Sequence, residues 1–303
     1  ILDGGVMLHF LPAPIRGSLS FLLYFINTIF WATPILILAI VKLPPVKIWQ
    51  TWITYLLDFC ATSWITLNNL TSRIFSRIRW DIKGIDNLSV KDWYLVMANH
   101  QSWVDILVLQ KVFNHKAPFL KFFLKKELIY VPVIGLCWWA LDFPFMQRLT
   151  AKQLAEKPEL KGTDIATTRK ACEKFRYKPV SVMNFLEGTR FTQYKHDKQQ
   201  SPFTHLLKPK AGGISFVLNA MGEHLHKLLD VTICYPKGIP TFWDYISGKV
   251  HDIKVRVRVL PIDPKLIGDY EDPVFKQKFQ AWVNQLWLDK DLLLTELKQG
   301  ERS

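Results

Sequence analysis

A chain of 303 residues with 49% hydrophobic content holds ample apolar surface for a large core, which excludes an intrinsically disordered protein. Its 39 Lys and Arg against 26 Asp and Glu leave a net charge of +13 and call for an anionic partner, and twelve Trp with twenty Phe favour a membrane surface over nucleic acid. Cys60, Cys137, Cys172 and Cys234 form no C-x-x-C pair, which argues against a zinc site or a disulfide framework and fits a reducing compartment.

From Ser18 to Val41 no residue is charged, and a helix of that length could cross a hydrocarbon core of about 30 Å. A cleaved signal peptide would end in a small-residue A-x-A site, whereas Lys42-Leu43-Pro44-Pro45 follows here. Beyond the prolines, Trp49, Trp52, Ile53, Leu56, Cys60 and Trp64 recur at spacings of three or four, with Gln50, Thr51, Asp58 and Asn68 between them. This predicts an amphipathic second helix over Trp49–Leu67. Its polar residues make it a poor span, and Lys42 and Lys47 would make an unusually basic outer loop. The expected arrangement of residues 1–80 is therefore a helical hairpin dipped into one leaflet; a spanning first helix with the second lying on the surface is the alternative.

Past Arg73, Arg77 and Arg79, short apolar runs alternate with helical stretches, an α/β texture over residues 81–303. Strands are predicted at Trp93–Ala98, Phe119–Leu124, Val180–Leu186, Leu229–Tyr235 and Ile253–Leu260. Helices are predicted at Ser102–Phe113, Thr163–Phe175, Gly212–Met221 and Pro273–Leu297. The last has Asp272 as N-cap, Pro273 at its first position, and Phe275, Phe279, Trp282 and Leu286 on one face. Phe191–Lys210, polar and containing Pro202 and Pro209, reads as a loop. Lys254, Arg256 and Arg258 alternate with valines on one face of a strand, a solvent face or a place for anionic headgroups.

The stretch Val96–Asp105, VMANHQSWVD, carries the chemistry. On one regular helix, five residues would rotate His100 and Asp105 apart by about 140°. If the strand ends at Asn99 and Ser102 caps the next helix, Asp105 in its first turn can reach back to the imidazole. The carboxylate would then fix the tautomer while the other ring nitrogen takes a proton from a bound hydroxyl, so the enzyme itself supplies no nucleophile. The competing reading is a plain capping pair beside a hydrogen-bonded loop histidine. A second apolar strand ends in Glu187-Gly188-Thr189-Arg190, where glycine admits a close ligand and Arg190 offers a fork suited to phosphate.

N99-H100-x4-D105 and E187-G188-T189-R190 resemble the first and third blocks of the PlsC-type glycerolipid acyltransferases, which include the lysophosphatidate acyltransferases. The second block is matched by Lys125-x-x-Leu128-x3-Pro132-x2-Gly135 with Phe145-Met146-Gln147-Arg148, and the fourth by Val231–Pro236. Gln147 departs from the acidic residue that many relatives carry there. LDFPFMQR, CEKFR, LLKPKAGG and FQAWVNQLW resemble the bacterial inner-membrane YihG-type branch.

The resemblance implies transfer of an acyl group from acyl-CoA or acyl-carrier-protein to a free hydroxyl of a lysophospholipid. His100 would be the general base and Asp105 its partner; Glu187, Gly188, Thr189 and Arg190 would bind the acceptor, with Arg148 and Lys125 as further phosphate ligands. The expectation is a mixed sheet flanked by helices behind a membrane-associated hairpin. No metal or cofactor is needed beyond the thioester, and the catalytic domain would face the cytoplasm at the inner membrane. A bilayer, the lysophospholipid and the donor are the expected partners, and no nucleic-acid recognition motif occurs. The alternatives are a lysophospholipase- or thioesterase-like hydrolase and an inactive lipid-binding protein.

Overall fold

The computed structural model describes residues 8–146, 172–173, 175, 178–222 and 224–300. Two long antiparallel helices come first, α1 (Ala13–Val41) and α2 (Lys47–Phe75). A six-stranded mixed sheet follows, made of β1 (Arg79–Lys83), β2 (Tyr94–Ala98), β3 (Leu120–Phe122), β6 (Ser181–Phe185), β7 (Lys227–Cys234) and β8 (Asp252–Pro261) in the order β1-β8-β7-β2-β6-β3. Only β7 and β8 pair antiparallel; the other neighbours are parallel. The helices of the domain are α3 (Val104–Phe113), α4 (Ile134–Ala140), α5 (Gln193–Gln199), α6 (Gly212–Met221), α7 (Phe242–Ile246) and α8 (Pro273–Gln299). A minor pair, β4 (Leu124–Lys125) with β5 (Phe145–Met146), continues from β3.

Both faces of the sheet are covered, which is why β2 is buried at every position and reads as an unbroken apolar run. One face packs Val96 and Ala98 against α3 and, beyond it, Ala32, Ile35, Ile53 and Leu57 of the hairpin. The opposite face packs Leu95, Met97 and Val182 against α6 and against Phe279, Val283 and Trp287 of α8. That last helix starts as its sequence predicts, with Asp272 accepting the amide protons of Val274 and Phe275.

The hairpin lies along the domain, α1 against α4 and α7 and α2 against α3. α1 is the one helix among the described residues long and apolar enough to cross a membrane. Apart from Ile35 its buried residues are small or polar: Asn27 donates to the Trp64 carbonyl and to Asn68 Oδ1, and the Trp64 indole donates to Thr28. The apolar face predicted for α2 is divided. Ile53 and Cys60 turn inward, whereas Trp49, Trp52 and Leu56 are exposed, and Asn68, expected on a polar face, is buried against α1. Asp58 forms an ion pair with Lys178 of the domain, and Lys42 pairs with Asp142.

Several expectations are corrected. β1 carries no apolar run and spans the expected 80/81 division; it is an edge strand held by Arg79–Asp252 and Arg256–Asp81. Phe191–Lys210 contains a helix, α5, capped by the Thr192 hydroxyl. The basic stripe on β8 is half-buried and bonded within the fold: Arg258 pairs with Asp230 and Asp289, Arg256 with Asp81, and Lys254 donates to the Leu297 carbonyl at the end of α8. The predicted helix Thr163–Phe175 lies outside the described residues except for Cys172, Glu173 and Phe175, which are helical.

Beneath that stripe, α8 drives a fully buried Lys290 into the sheet, where its ammonium contacts Asp230 at 2.6 Å and donates to the Val231 carbonyl and the Thr232 hydroxyl. Lys290→Ala would leave Asp230 with Arg258 alone and should lower the unfolding free energy by about 3 kcal/mol, the lower range for breaking a buried pair. Denaturant unfolding measures this; unchanged stability would mean that Arg258 suffices.

Candidate active site

The parallel strands β2, β6 and β3 end on one edge of the sheet, and that edge gathers most of the residues expected at the site. Asn99, the first residue past β2, extends the β2–β7 ladder with its side chain: Nδ2 donates to the Ile233 carbonyl at 2.9 Å and Oδ1 accepts the Ile233 amide proton at 2.8 Å. His100 therefore leaves the sheet from a fixed point. Its ring stacks on Phe185 of β6, centroids 3.9 Å apart, and remains 14% exposed.

Asp105 is fully buried in the first turn of α3, and donors surround its carboxylate. Oδ2 accepts from His100 Nδ1 at 2.9 Å and from the amides of Gln101 and Ser102 at 2.6 and 2.8 Å, while Oδ1 accepts from the Tyr235 hydroxyl at 2.6 Å. An acceptor in that setting assigns the proton to Nδ1 and leaves the Nε2 lone pair toward the open side. One carboxylate thus orders the turn ahead of α3 and holds the imidazole, whereas Ser102 does not cap that helix as expected, its N-cap being Trp103. Ser102 is part of the same turn: its hydroxyl accepts the Val104 amide proton and donates to the Pro240 carbonyl.

The segment after β6 grips the histidine. Glu187 Oε1 accepts the His100 amide proton at 2.8 Å, and the Phe191 amide donates to the His100 carbonyl at 2.8 Å. Glu187 Oε2 accepts from the Leu207 amide at 3.0 Å. Burial pushes the Glu187 carboxyl up to about 8 against the pull of these two amides. Both oxygens face backbone, so the side chain braces the turn and offers nothing outward. Gly188 has φ +69, which only glycine adopts at little cost, and makes the turn that brings residues 188–191 back over His100.

Arg190 is exposed, with its guanidinium carbon 4.8 Å from the Trp103 ring centroid. Lys195, on α5, donates to the Thr189 hydroxyl at 2.8 Å and to the Arg190 carbonyl at 3.0 Å. Lys125 is exposed on β4 just past the end of β3, on the same edge but without a bond to the His100 cluster among the described residues. Gln147 and Arg148 lie outside the described residues.

Sequence reasoning missed Tyr235, Lys195 and Asp291. Tyr235 sits inside the fourth block and had a visible signal, a polar ring at the end of a buried strand; its hydroxyl is held protonated by burial and by the Asp105 charge. Asp291, from the other side of the sheet, accepts the amide protons of Thr204 and His205 at 2.7 Å each and so supports the loop that feeds Leu207 to Glu187. Nothing local in the sequence marks it. Among the described residues, no group of three or more His, Cys, Asp or Glu is arranged to hold a metal.

Comparison with known proteins gives several matches. Human 1-acyl-sn-glycerol-3-phosphate acyltransferase delta is 25% identical over 218 residues, covering 68% of this chain and 53% of the human protein. Mouse lysocardiolipin acyltransferase 1 is 23% identical over 293 residues, covering 92% of this chain and 72% of the mouse protein. The chain thus spans about half the length of the first of these relatives. The crystal structure of the 1-acyl-sn-glycerophosphate acyltransferase PlsC from Thermotoga maritima matches with a TM-score of 0.49 at 18% identity, over 90% of this chain and 97% of that one. A model of the family described as Acyltransferase matches residues 79–236, from the first strand through the His100–Asp105 turn and the Glu187 segment to the strand that supplies Tyr235. That span is just over half of the sequence, and the chain belongs to the Acyltransferase family.

Proposed function

We propose that this chain is a membrane-bound O-acyltransferase that moves a fatty acyl group from an acyl-CoA or acyl-carrier-protein thioester to the free hydroxyl of a lysophosphatidate-like lysophospholipid. The observation that carries the reading is the buried Asp105 on His100 Nδ1, with Nε2 left open at a strand end. Nε2 takes the proton of the acceptor hydroxyl as its oxygen attacks the thioester carbonyl and the C–O bond forms. Collapse of the tetrahedral intermediate breaks the C–S bond, and the imidazolium returns its proton to the departing thiolate. Asp105 stabilises the imidazolium between these two steps. The names of the relatives, one acting on 1-acyl-sn-glycerol-3-phosphate and one on lysocardiolipin, support a phosphate-bearing acceptor.

Arg190, its guanidinium plane braced by Trp103, supplies the fork for that phosphate, with Lys195 and Lys125 as further cations on the edge and Arg148 as a further phosphate ligand by the family resemblance. Glu187 is a positioning residue in this reading, since it touches the His100 backbone and not the acceptor. The membrane placement is a hairpin lying in one leaflet. It is supported by the packing of α1 and α2 along the domain, which leaves Phe21, Phe25, Phe30, Trp52 and Phe59 exposed outward.

Purified protein given a panel of lysophospholipids and each donor should yield diacyl products by mass, and thioester consumption should require the lysophospholipid; consumption without it would identify a hydrolase. His100→Ala should lower turnover by about a hundredfold or more with the fold intact, and Asp105→Asn should lower it less. Near-normal turnover in folded His100→Ala would end the general-base assignment.

Arg190→Ala should raise the acceptor KM by about tenfold while the donor KM stays near normal, with Arg190→Lys between them. Equal loss for both substrates with a lowered Tm would make Arg190 structural.

Glu187 gives a pH signature. The folded chain keeps its proton up to about pH 8, whereas the unfolded chain releases it near 4.5, so unfolding releases a proton across that window. Stability should therefore fall as pH rises from about 5 to 8 and level off above. Glu187→Gln should remove that component of the Tm–pH slope and lower kcat more than it raises either KM; an unchanged slope would place the titration elsewhere.

A further inference from the structure

On the same edge of the sheet as His100 but three strands across from β2, Arg73, Arg77, Arg79 and Lys111 line a cleft of about 600 Å³ with Trp80 and Asn69, where the end of α2 meets β1 and α3. Among the described lining residues there is no carboxylate. Arg79 is paired with Asp252 outside the lining. Arg77 is exposed and just beyond the helix, and Lys111 is half-buried with its ammonium 5.1 Å from the Trp80 ring centroid. Burial and the Arg73 charge lower the Lys111 pKa, so like charges are gathered at a cost that an anion would offset. The α2 dipole favours Arg73 in the last helical turn, but it does not account for Arg77 or Lys111.

The surface leading into the cleft is apolar. Trp52, Leu56, Phe59, Leu67 and Leu70 are exposed on α2, and at helical spacing they share a side that leads to Arg73 in the last turn, with Arg77 two residues past the helix. From Phe59 to Arg73 this stripe runs about 21 Å, long enough to lie beside an acyl chain in one leaflet. A free phosphate would have no use for such a stripe; a phospholipid has use for both parts.

We infer that this cleft binds the phosphate of an anionic phospholipid headgroup, with the lipid's acyl chain lying along the exposed face of α2, as a site separate from the His100 cluster. The inference rests on the bilayer contact proposed above. Arginine forks match phosphate oxygens, and the cleft shares no lining residue with the His100 cluster.

The test is flotation of the full chain with phosphatidylcholine vesicles, with and without phosphatidic acid. The wild-type chain should prefer the phosphatidic acid vesicles, and Arg77→Gln/Lys111→Gln should reduce that preference by about thirtyfold, at roughly fivefold per surface cation. Arg77→Gln alone, at an exposed position that spares the fold, should lose about fivefold. Lys208→Gln/Lys265→Gln removes equal charge elsewhere and should have little effect; an equal loss there would assign the preference to net charge and overturn the cleft. Absence of any preference in the wild-type chain would overturn it as well. Inorganic phosphate should neither compete with the vesicles nor raise the Tm; if it does both in the wild-type chain and neither in the double variant, the site takes free phosphate and the lipid assignment falls. Acyl transfer to a soluble short-chain lysophosphatidate should be unchanged in the double variant, and its loss would merge the cleft with the acceptor site. Vesicle binding does not involve His100, so a wild-type chain inactive in acyl transfer would overturn the proposed reaction and leave this result standing.

Discussion

The site depends on the two hydrogen bonds that hold the His100 peptide, its amide donating to Glu187 and its carbonyl accepting from Phe191. A general base that leaves a strand in a turn has few backbone constraints of its own, and imidazole chemistry tolerates little misplacement. Here both polar groups of the peptide are claimed by one segment, the turn after β6. This requires β6 to lie beside β2, which the strand order provides. It also requires a carboxyl group to be buried, an arrangement that burial alone opposes and that the amides of His100 and Leu207 offset.

The support continues outward in layers. Leu207 is held in a loop whose Thr204 and His205 amides donate to Asp291, and the neighbouring Lys290 reaches the carbonyl of Val231 on β7. The C-terminal helix thus stabilises, from the opposite face of the sheet, both the strand that Asn99 clasps and the loop that Glu187 grips. On the near side, Tyr235 and the Gln101 and Ser102 amides complete the shell around Asp105. The imidazole is oriented by a network in which every buried polar atom of Asp105 is bonded, which is the condition under which such a network is rigid.

The net charge of +13 is distributed unevenly. Much of the basic character of β8 is spent inside the fold, on Asp81, Asp230 and Asp289. Other cations, Arg73, Arg77, Arg79 and Lys111, gather where α2 ends, next to exposed apolar surface. Charge and hydrophobicity therefore meet on the hairpin side of the molecule, the combination suited to a bilayer boundary.

By itself the sequence determined the elements whose signals are local. The uncharged run before Pro44, the apolar runs that became β2, β3, β6, β7 and β8, the Asp272-Pro273 start of the last helix, and the five-residue spacing of His100 and Asp105 were all legible because periodicity, caps and turns depend on neighbours in the chain. It could not show β1, whose charged residues are explained only by partners on β8, nor α5 in a segment rich in polar residues. It assigned Glu187 outward to an acceptor and Lys254, Arg256 and Arg258 to a surface, because side-chain direction at a strand end or beneath a helix is set by what packs there. Tertiary structure alone decided that Glu187 turns in to the His100 amide, that Tyr235 completes Asp105, and that Asp291 supports the loop behind Glu187 from the far face of the sheet. These contacts join residues far apart in the chain, and only the sheet order brings them within hydrogen-bonding distance.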